Sequence, residues 1–205
     1  MTFTSSLPGA STGTVLDVQF QNPSDPNLKP YAVQTMVIRG PRGTVVDTTV
    51  PPQCHATDAE IMLEGPAACP ANSQIGSGFA VSDQGGGGPG SRYSNTTLTH
   101  FNNQDEVVGI GVNDDVPAIK TIDRTTLDGR TSTSNFPLIP GVPPPEPYTP
   151  VQRLYIQFPP YERDGRAYHL TPPSCPASGH WTFKIVFTYR DGVTQSLESP
   201  SPCQP

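Results

Sequence analysis

Short segments that alternate apolar and polar residues recur along most of the chain. The clearest are 14–20 and 181–189, and in the second every other residue from Trp181 to Tyr189 is aromatic or aliphatic. A period of two residues is typical of a strand with one buried face. We therefore expect a strand at each of these segments, with 181–189 as the most strongly buried strand of the core.

Other segments predict further strands. They are 31–38, 43–50, 75–81, 96–101, 106–112, 119–127, 151–158 and 193–198. The first two flank a turn-forming segment at 39–43, so we expect them to form a hairpin or a meander. Asp191-Gly192 predicts a tight turn into the last strand, because this pair tolerates the positive φ that a hairpin requires.

One short helix is expected, between Cys54 and Cys69. Thr57-Asp58-Ala59-Glu60 fits a capping box, in which the Thr57 hydroxyl and the Glu60 carboxylate satisfy first-turn amides. Gly65-Pro66 ends the pattern after one or two turns.

Three segments predict loops. Residues 84–91 contain four consecutive glycines, 128–135 are rich in Ser and Thr, and 137–150 contain three consecutive prolines. We expect 137–150 to be an extended, polyproline-like crossover within one domain; a division into two subdomains is the alternative. The predicted fold is an all-β, antiparallel β-sandwich, immunoglobulin-like or jelly-roll-like, with long Pro/Gly-rich loops and at most one short helix. It would occupy 14–205, after an extended arm at 1–13.

Composition narrows the classes of protein. The 205 residues include 26 Pro and 19 Gly, and the net charge is −6. Pro costs roughly 3 kcal/mol inside a helix, so helix bundles are excluded. No cluster of Lys and Arg is present, so we expect no nucleic-acid partner. No apolar run approaches the roughly 20 residues that a membrane-spanning helix requires.

The four cysteines are Cys54, Cys69, Cys175 and Cys203. An even count in a loop-rich chain favours disulfides, and although three pairings are open, we prefer the nearest-neighbour one. Disulfides indicate an oxidising compartment. The first residues lack the charged and apolar regions of a signal peptide, so we expect an extracellular or cell-surface protein from which the leader has been removed.

A zinc site is the alternative use of these cysteines. His169, His180, Cys175 and Cys203 offer two sulfur and two nitrogen ligands, but structural zinc sites usually contain a close C-x₂₋₄-C pair, which the sequence lacks. With disulfides formed, the histidines at 55, 169 and 180 are expected at the surface or in turns.

The cysteine segments carry a family resemblance. Ala68-Cys69-Pro70 with 73–78, and Cys175-Pro176 with 181–183, 187–189 and Cys203, are similar to a group of exported actinobacterial β-rich proteins of unknown function. The resemblance implies an extracytoplasmic protein with two local disulfides, and it implies no particular activity.

Catalytic and metal-binding patterns are weak. The sequence offers no strand–turn–helix context that would expose a serine nucleophile, so we expect no enzyme. Calcium is the one cofactor considered, because Asn/Asp-rich turns supply oxygen ligands. Its candidate ligands are Asp105, Glu106, Asp114 and Asp115. The two pairs flank one strand and lie about 27 Å apart, so each would need partners such as Asp123 or Asp128.

Four tyrosines in the last third suggest a contact surface. They are Tyr148, Tyr155, Tyr161 and Tyr168. Tyr155 lies opposite the apolar face of 151–158, so we expect it on the outside of the sheet, where an amphipathic ring suits a glycan or a protein.

Three functions follow from these observations. The first is a non-catalytic extracellular or cell-surface structural protein that self-assembles or binds a protein partner through its Pro-rich arms. The alternative is a cell-envelope glycan- or ligand-binding module, with or without calcium. A cryptic hydrolase is the remaining one.

Overall fold

A computed structural model describes residues 1–85, 92–139 and 148–204. The strands are β1 (Thr2–Phe3), β2 (Thr14–Gln19), β3 (Val33–Arg39), β4 (Val45–Val46), β5 (Gln74–Asp83), β6 (Tyr93–Asn103), β7 (Glu106–Asn113), β8 (Lys120–Asp128), β9 (Thr131–Asn135), β10 (Val151–Phe158), β11 (Glu162–Arg163), β12 (Arg166–Ala167), β13 (His169–Leu170), β14 (His180–Tyr189) and β15 (Thr194–Pro202). The helix α1 (Asp58–Glu64) is followed by 3₁₀ turns at Gly65–Ala68 and Ala71–Ser73. The all-β class with one short α-helix is thus confirmed for the described residues.

Eleven strands form one antiparallel sheet, in the order β1-β2-β10-β5-β6-β7-β8-β9-β3-β14-β15. The ends of this sheet meet: the amino terminus of Met1 donates to Ser199 Oγ at 2.7 Å, and the Phe3 amide donates to Ser201 Oγ at 2.9 Å. The predicted sandwich is therefore wrong, and the fold is a nearly closed barrel. Strand alternation is the same in both architectures, since each has one face turned inward.

The strand order corrects two local predictions. Strand β3 pairs with β9 and β14, whereas β4 pairs with β13, so 31–38 and 43–50 do not form a hairpin. Residues 128–135 were expected to be a loop, but they contain β9. The β8–β9 turn has Gly129 at φ 57°. The hydroxyl-rich sequence that follows pairs as a strand with β8 and β3, and its inward side chains line a cavity.

The main core confirms the prediction for 181–189. Trp181, Phe183, Ile185 and Phe187 on β14 are each at most 3% exposed. The turn at Gly192 (φ 86°) joins β14 to β15 as expected. The alternate side chains of β14 therefore form the aromatic part of the main core.

The helix packs on the outside of the barrel. Its capping box is present as predicted, with the Thr57 amide donating to Glu60 Oε2 at 2.7 Å. Ile61 is fully buried in a cluster with Phe101, Val108 and Ile110. This cluster covers the outer face of β7, and so that strand is buried on both sides.

Both disulfides form in the preferred pairing, Cys54–Cys69 and Cys175–Cys203. The first closes the segment that carries α1. The second joins the loop before β14 to the end of β15.

The two predicted arms differ in what the structure describes. Residues 1–13 contact their own chain: the Thr12 amide donates to the carbonyl of His169 at 3.0 Å, and β1 pairs with β2. Most of the 137–150 crossover, from 140 to 147, and most of the glycine run near 86–91 lie outside the described residues. Within the described ranges, neither the α-helix nor the 3₁₀ turns have the length and apolar character needed to span a bilayer.

Candidate functional site

The barrel contains a cavity of about 200 Å³ that is partly open to solvent. Strands from around the whole barrel line it. Its apolar lining includes Leu16, Met36, Ile38, Leu98, Leu154, Ile156 and Phe183. Imidazole, carboxylate and hydroxyl groups come mainly from β6, β8 and β9, which makes one wall more polar than the other.

Small residues on β7 create part of this space. Val108 and Ile110 turn outward to the helix, so the alternate residues Gly109 and Gly111 turn inward. A Cβ built at Gly111 would lie 2.4 Å from Thr121 Oγ1. A larger side chain at either glycine would therefore enter space that the inward groups of β6 and β8 occupy.

One transverse row of the barrel carries the two most distinctive polar side chains. Gly109 pairs directly with His100 on β6 and with Asp123 on β8. Neighbouring strands lie about 4.8 Å apart, so His100 and Asp123 are separated by about 10 Å along the wall. The glycine between them leaves room for the His100 ring, whose Cδ2 and Nε2 would lie 3.3 Å and 3.5 Å from a Cβ built at Gly109.

Asp123 is held through one of its carboxylate oxygens. Oδ2 accepts hydrogen bonds from Ser134 Oγ at 2.5 Å and from Thr125 Oγ1 at 2.8 Å. The other oxygen, Oδ1, is shielded from solvent and has no hydrogen-bond partner. Burial raises the pKa of Asp123; hydrogen bonds from Ser134, Thr125 and the Asn135 backbone oppose the shift, and the negative charge of Glu106 adds to it.

His100 is buried, with 7% of its surface exposed. Its ring lies 5.3 Å from that of Phe158, and its Nδ1 has no hydrogen-bond partner. Burial lowers the pKa of His100 to about 4. The imidazole is therefore neutral at physiological pH, and it offers one donor and one acceptor nitrogen.

His169 does not lie at the surface, and that prediction was wrong. The short β4–β13 pair places it over the barrel, where its ring packs against Phe3 at 5.5 Å and lines the cavity. Nε2 has no partner, and burial lowers the pKa of His169 to about 4. His55 and His180 are exposed, as expected.

Unpartnered polar atoms are concentrated at this cavity. Among the described residues, seven have a shielded side-chain N or O atom with no hydrogen-bond partner. Five of the seven line the cavity: Thr44, Ser82, His100, Asp123 and His169. Buried polar groups are normally hydrogen-bonded, so this concentration makes the cavity the candidate functional site.

Comparison with known proteins gives no family assignment. No protein-family model, curated protein or solved structure matches the chain. The similarity to exported actinobacterial proteins stays a prediction, and the function has to be argued from the cavity itself.

The four candidate tyrosines do not form one surface. Tyr155 is half-buried on the outer face, where it stacks on Phe79 with ring centres 5.4 Å apart. Tyr148 lies beneath the guanidinium of Arg190. Tyr161 is half-buried, and Tyr168 is 5% exposed and lines the cavity.

The calcium candidates remain in two separate turns. Glu106 is paired with Arg124 at 3.0 Å, and Asp114 accepts from Thr97 Oγ1 at 2.7 Å. Asp105 and Asp115 are exposed. In the described part of the chain, no group of three or more His, Cys, Asp or Glu side chains is arranged to hold a metal ion. Cys175 and Cys203, the cysteines of the alternative zinc site, form a disulfide with each other.

Sequence reasoning missed His100 and considered Asp123 only as a partner for calcium. The available signal was the period of two in 119–127, which places Thr121, Asp123 and Thr125 on one face. A polar face is ordinarily interpreted as the solvent side of a strand. In this barrel it faces the interior, and Ile122 on the opposite face packs beneath the helix.

Proposed function

We propose that this protein is a non-catalytic binding protein that holds a small, mostly apolar molecule inside its barrel. The observation that carries the proposal is the interior cavity, in which an apolar lining meets five residues with unpartnered polar atoms. Ligand sites combine these features, since apolar walls supply affinity and a few polar groups set orientation.

The size of the cavity restricts the ligand. Its volume of about 200 Å³ is below the roughly 300–1,000 Å³ of common drug-sized pockets. An apolar cavity of about 150 Å³ accepts benzene. The proposed ligand is therefore a molecule the size of one substituted ring.

The chemistry of the lining favours binding over hydrolysis. Asp123 is the one carboxylate among the described residues that line the cavity. Glycoside hydrolysis requires two carboxyl groups, and no Ser–His hydrogen bond occurs among the described cavity residues. The two disulfides support an oxidising, extracytoplasmic location. Structural assembly and glycan binding by the Tyr155 surface stay predictions that the cavity does not address.

Toluene is a suitable neutral probe. The proposal predicts saturable binding of toluene to the wild type, detected by saturation-transfer NMR and by a rise in the midpoint of thermal unfolding. Ala80→Leu adds three carbons to an inward position that lines the cavity, so we expect it to abolish this response.

Val81→Leu is the matched control, since it enlarges the next residue of β5 on the opposite face. It should bind toluene as the wild type does. Absence of saturable binding to the wild type, or equal binding by a folded Ala80→Leu variant, would contradict the proposal.

A further inference from the structure

Asp123 has no cationic partner among the described residues, in contrast to three other buried or half-buried carboxylates. Asp47, Asp83 and Glu106 each pair with an arginine at 3.0 Å or less. In the described residues no ion pair involves Asp123, although its Oδ2 accepts two side-chain hydrogen bonds. The protein thus places a carboxylate in a shielded site and leaves its charge uncompensated.

The groups around Asp123 do not supply the missing positive charge. Glu106, on β7, adds negative charge near it. His100 and His169 are neutral imidazoles, and Tyr168 is a buried neutral phenol. Arg130 also lines the cavity, but its guanidinium donates to the carbonyl of Gly40. Arg130 remains a cation in the lining, but among the described residues it forms no ion pair with Asp123.

The hydrogen bonds to Asp123 prepare its charged form. Hydroxyl groups of Ser134 and Thr125 and the amide of Asn135 donate to the carboxylate. Donors of this kind stabilise a carboxylate over a carboxylic acid. Burial opposes ionisation, and a cation bound next to the free Oδ1 would offset the cost of burial.

We infer that the cavity selects a small organic amine, with its ammonium group at Asp123 and its apolar body against Leu154, Ile156 and Phe183. This inference rests on the proposed function. The neutral imidazole of His100 lies on the other side of Gly109 in the same row. The opposite wall then buries the hydrocarbon part of the same molecule.

The amine also couples binding to pH. An ammonium ligand stabilises the ionised form of Asp123, whose pKa burial raises above its ordinary value. Affinity for the amine therefore increases as pH rises through the pKa of Asp123. Affinity for toluene should not follow this increase, because toluene carries no charge.

Three probes of nearly equal size test the inference: benzylamine, benzyl alcohol and toluene. Titration calorimetry near pH 7 should show that the wild type binds benzylamine about tenfold or more tightly than benzyl alcohol, as a charge-assisted hydrogen bond is stronger than a neutral one. Asp123→Asn, which keeps the shape and removes the charge, should lose this preference. Asp114→Asn, a change of an exposed carboxylate, should keep it.

The outcomes separate the two proposals. Binding of none of the three probes contradicts the proposed function. Binding of toluene and benzyl alcohol without a preference for benzylamine overturns the inference alone, as does a preference that survives in Asp123→Asn. The pH profile of the wild type provides an independent readout if Asp123→Asn fails to fold: an affinity for benzylamine that does not increase with pH overturns the inference.

Discussion

His100 and Asp123 face the same cavity from either side of Gly109, and each is paired directly with that glycine. Both side chains have a shielded polar atom without a hydrogen-bond partner. Their arrangement depends on a residue without a side chain, because a Cβ at Gly109 would lie 3.3 Å from Cδ2 of His100. The row therefore places a neutral imidazole and a carboxyl group on either side of a glycine.

Asp123→Asn should change how stability depends on pH. The folded pKa of Asp123 is raised by burial above the unfolded value of 3.8, so the folded state retains the proton more strongly. The contribution of Asp123 to the free energy of unfolding should consequently fall as pH rises from 3.8 to the folded pKa, and remain lower above it. The Asn variant lacks this loss. Urea unfolding at several pH values, followed by fluorescence of Trp181, measures the difference.

Ser134→Ala provides the comparison for this prediction. It removes a donor to the ionised form, so it should extend the pH range over which stability falls. A constant difference between Asp123→Asn and wild type across this range would contradict the assigned environment of the carboxylate.

His100→Gln should reduce acid sensitivity. The pKa of His100 is about 4 in the folded protein and 6.5 when unperturbed, so the unfolded state takes up a proton first as pH falls. This linkage removes about 3 kcal/mol of stability between pH 6.5 and 4. The variant should lose less stability than the wild type over that interval, as measured by urea unfolding. An unchanged slope would show that His100 is not buried as a neutral base.

The disulfide that closes the shorter loop should contribute more to stability than the disulfide that closes the longer one. Chain entropy alone assigns about 3 kcal/mol to the 15-residue separation of Cys54–Cys69 and about 3.6 kcal/mol to the 28-residue separation of Cys175–Cys203. The first disulfide also holds a seven-residue helix that is too short to persist alone. We expect β15, the strand next to Cys203, to stay paired with β14 without this disulfide, because the two strands pair along their whole length.

Replacement of both members of each pair by Ala tests this ranking by urea unfolding. The Cys54/Cys69 variant should be the less stable. Ile61→Ala, with both disulfides intact, should cost about 2–5 kcal/mol by removing the buried helix contact. A greater loss of stability for the Cys175/Cys203 variant would show that holding α1 in place contributes little to the free energy of unfolding.

Arg92→Ala should be more damaging than a comparable change at the surface. Arg92 pairs with Asp83 at 2.7 Å, and the Asp83 side chain is 1% exposed. Removing the guanidinium leaves a buried charge unpaired, so we expect a loss of about 1–3 kcal/mol near pH 7. Arg153→Ala, which breaks an exposed pair with Asp17, should cost less stability than Arg92→Ala.

The loss in Arg92→Ala should also depend on pH. Burial raises the pKa of Asp83, but hydrogen bonds from Arg92 and the Gly85 amide outweigh it and hold the pKa below 3.8. The contribution is therefore present above 3.8 and disappears as pH falls through the folded pKa. Equal losses for the Arg92 and Arg153 variants near pH 7 would contradict this assignment.

Local patterns were sufficient to predict most elements and both disulfides. The helix at 58–64 follows from its capping box, and β10 matches the predicted 151–158. These features depend on neighbouring residues or a short repeat. Strand β9 was missed because Ser- and Thr-rich segments are usual in loops, and its pairing with β3 joins residues nearly a hundred positions apart.

The sequence by itself determined where strands alternate, where the helix begins and which cysteines lie near each other, because those properties are local. Only the tertiary structure decided that the sheet closes through Met1 and Ser199. Closure turns the polar face of β8 inward, and the pairing of β7 with both β6 and β8 places Asp123 in the row of His100. A period of two distinguishes the two faces of a strand, but it does not show which face is enclosed when the interior itself contains polar groups.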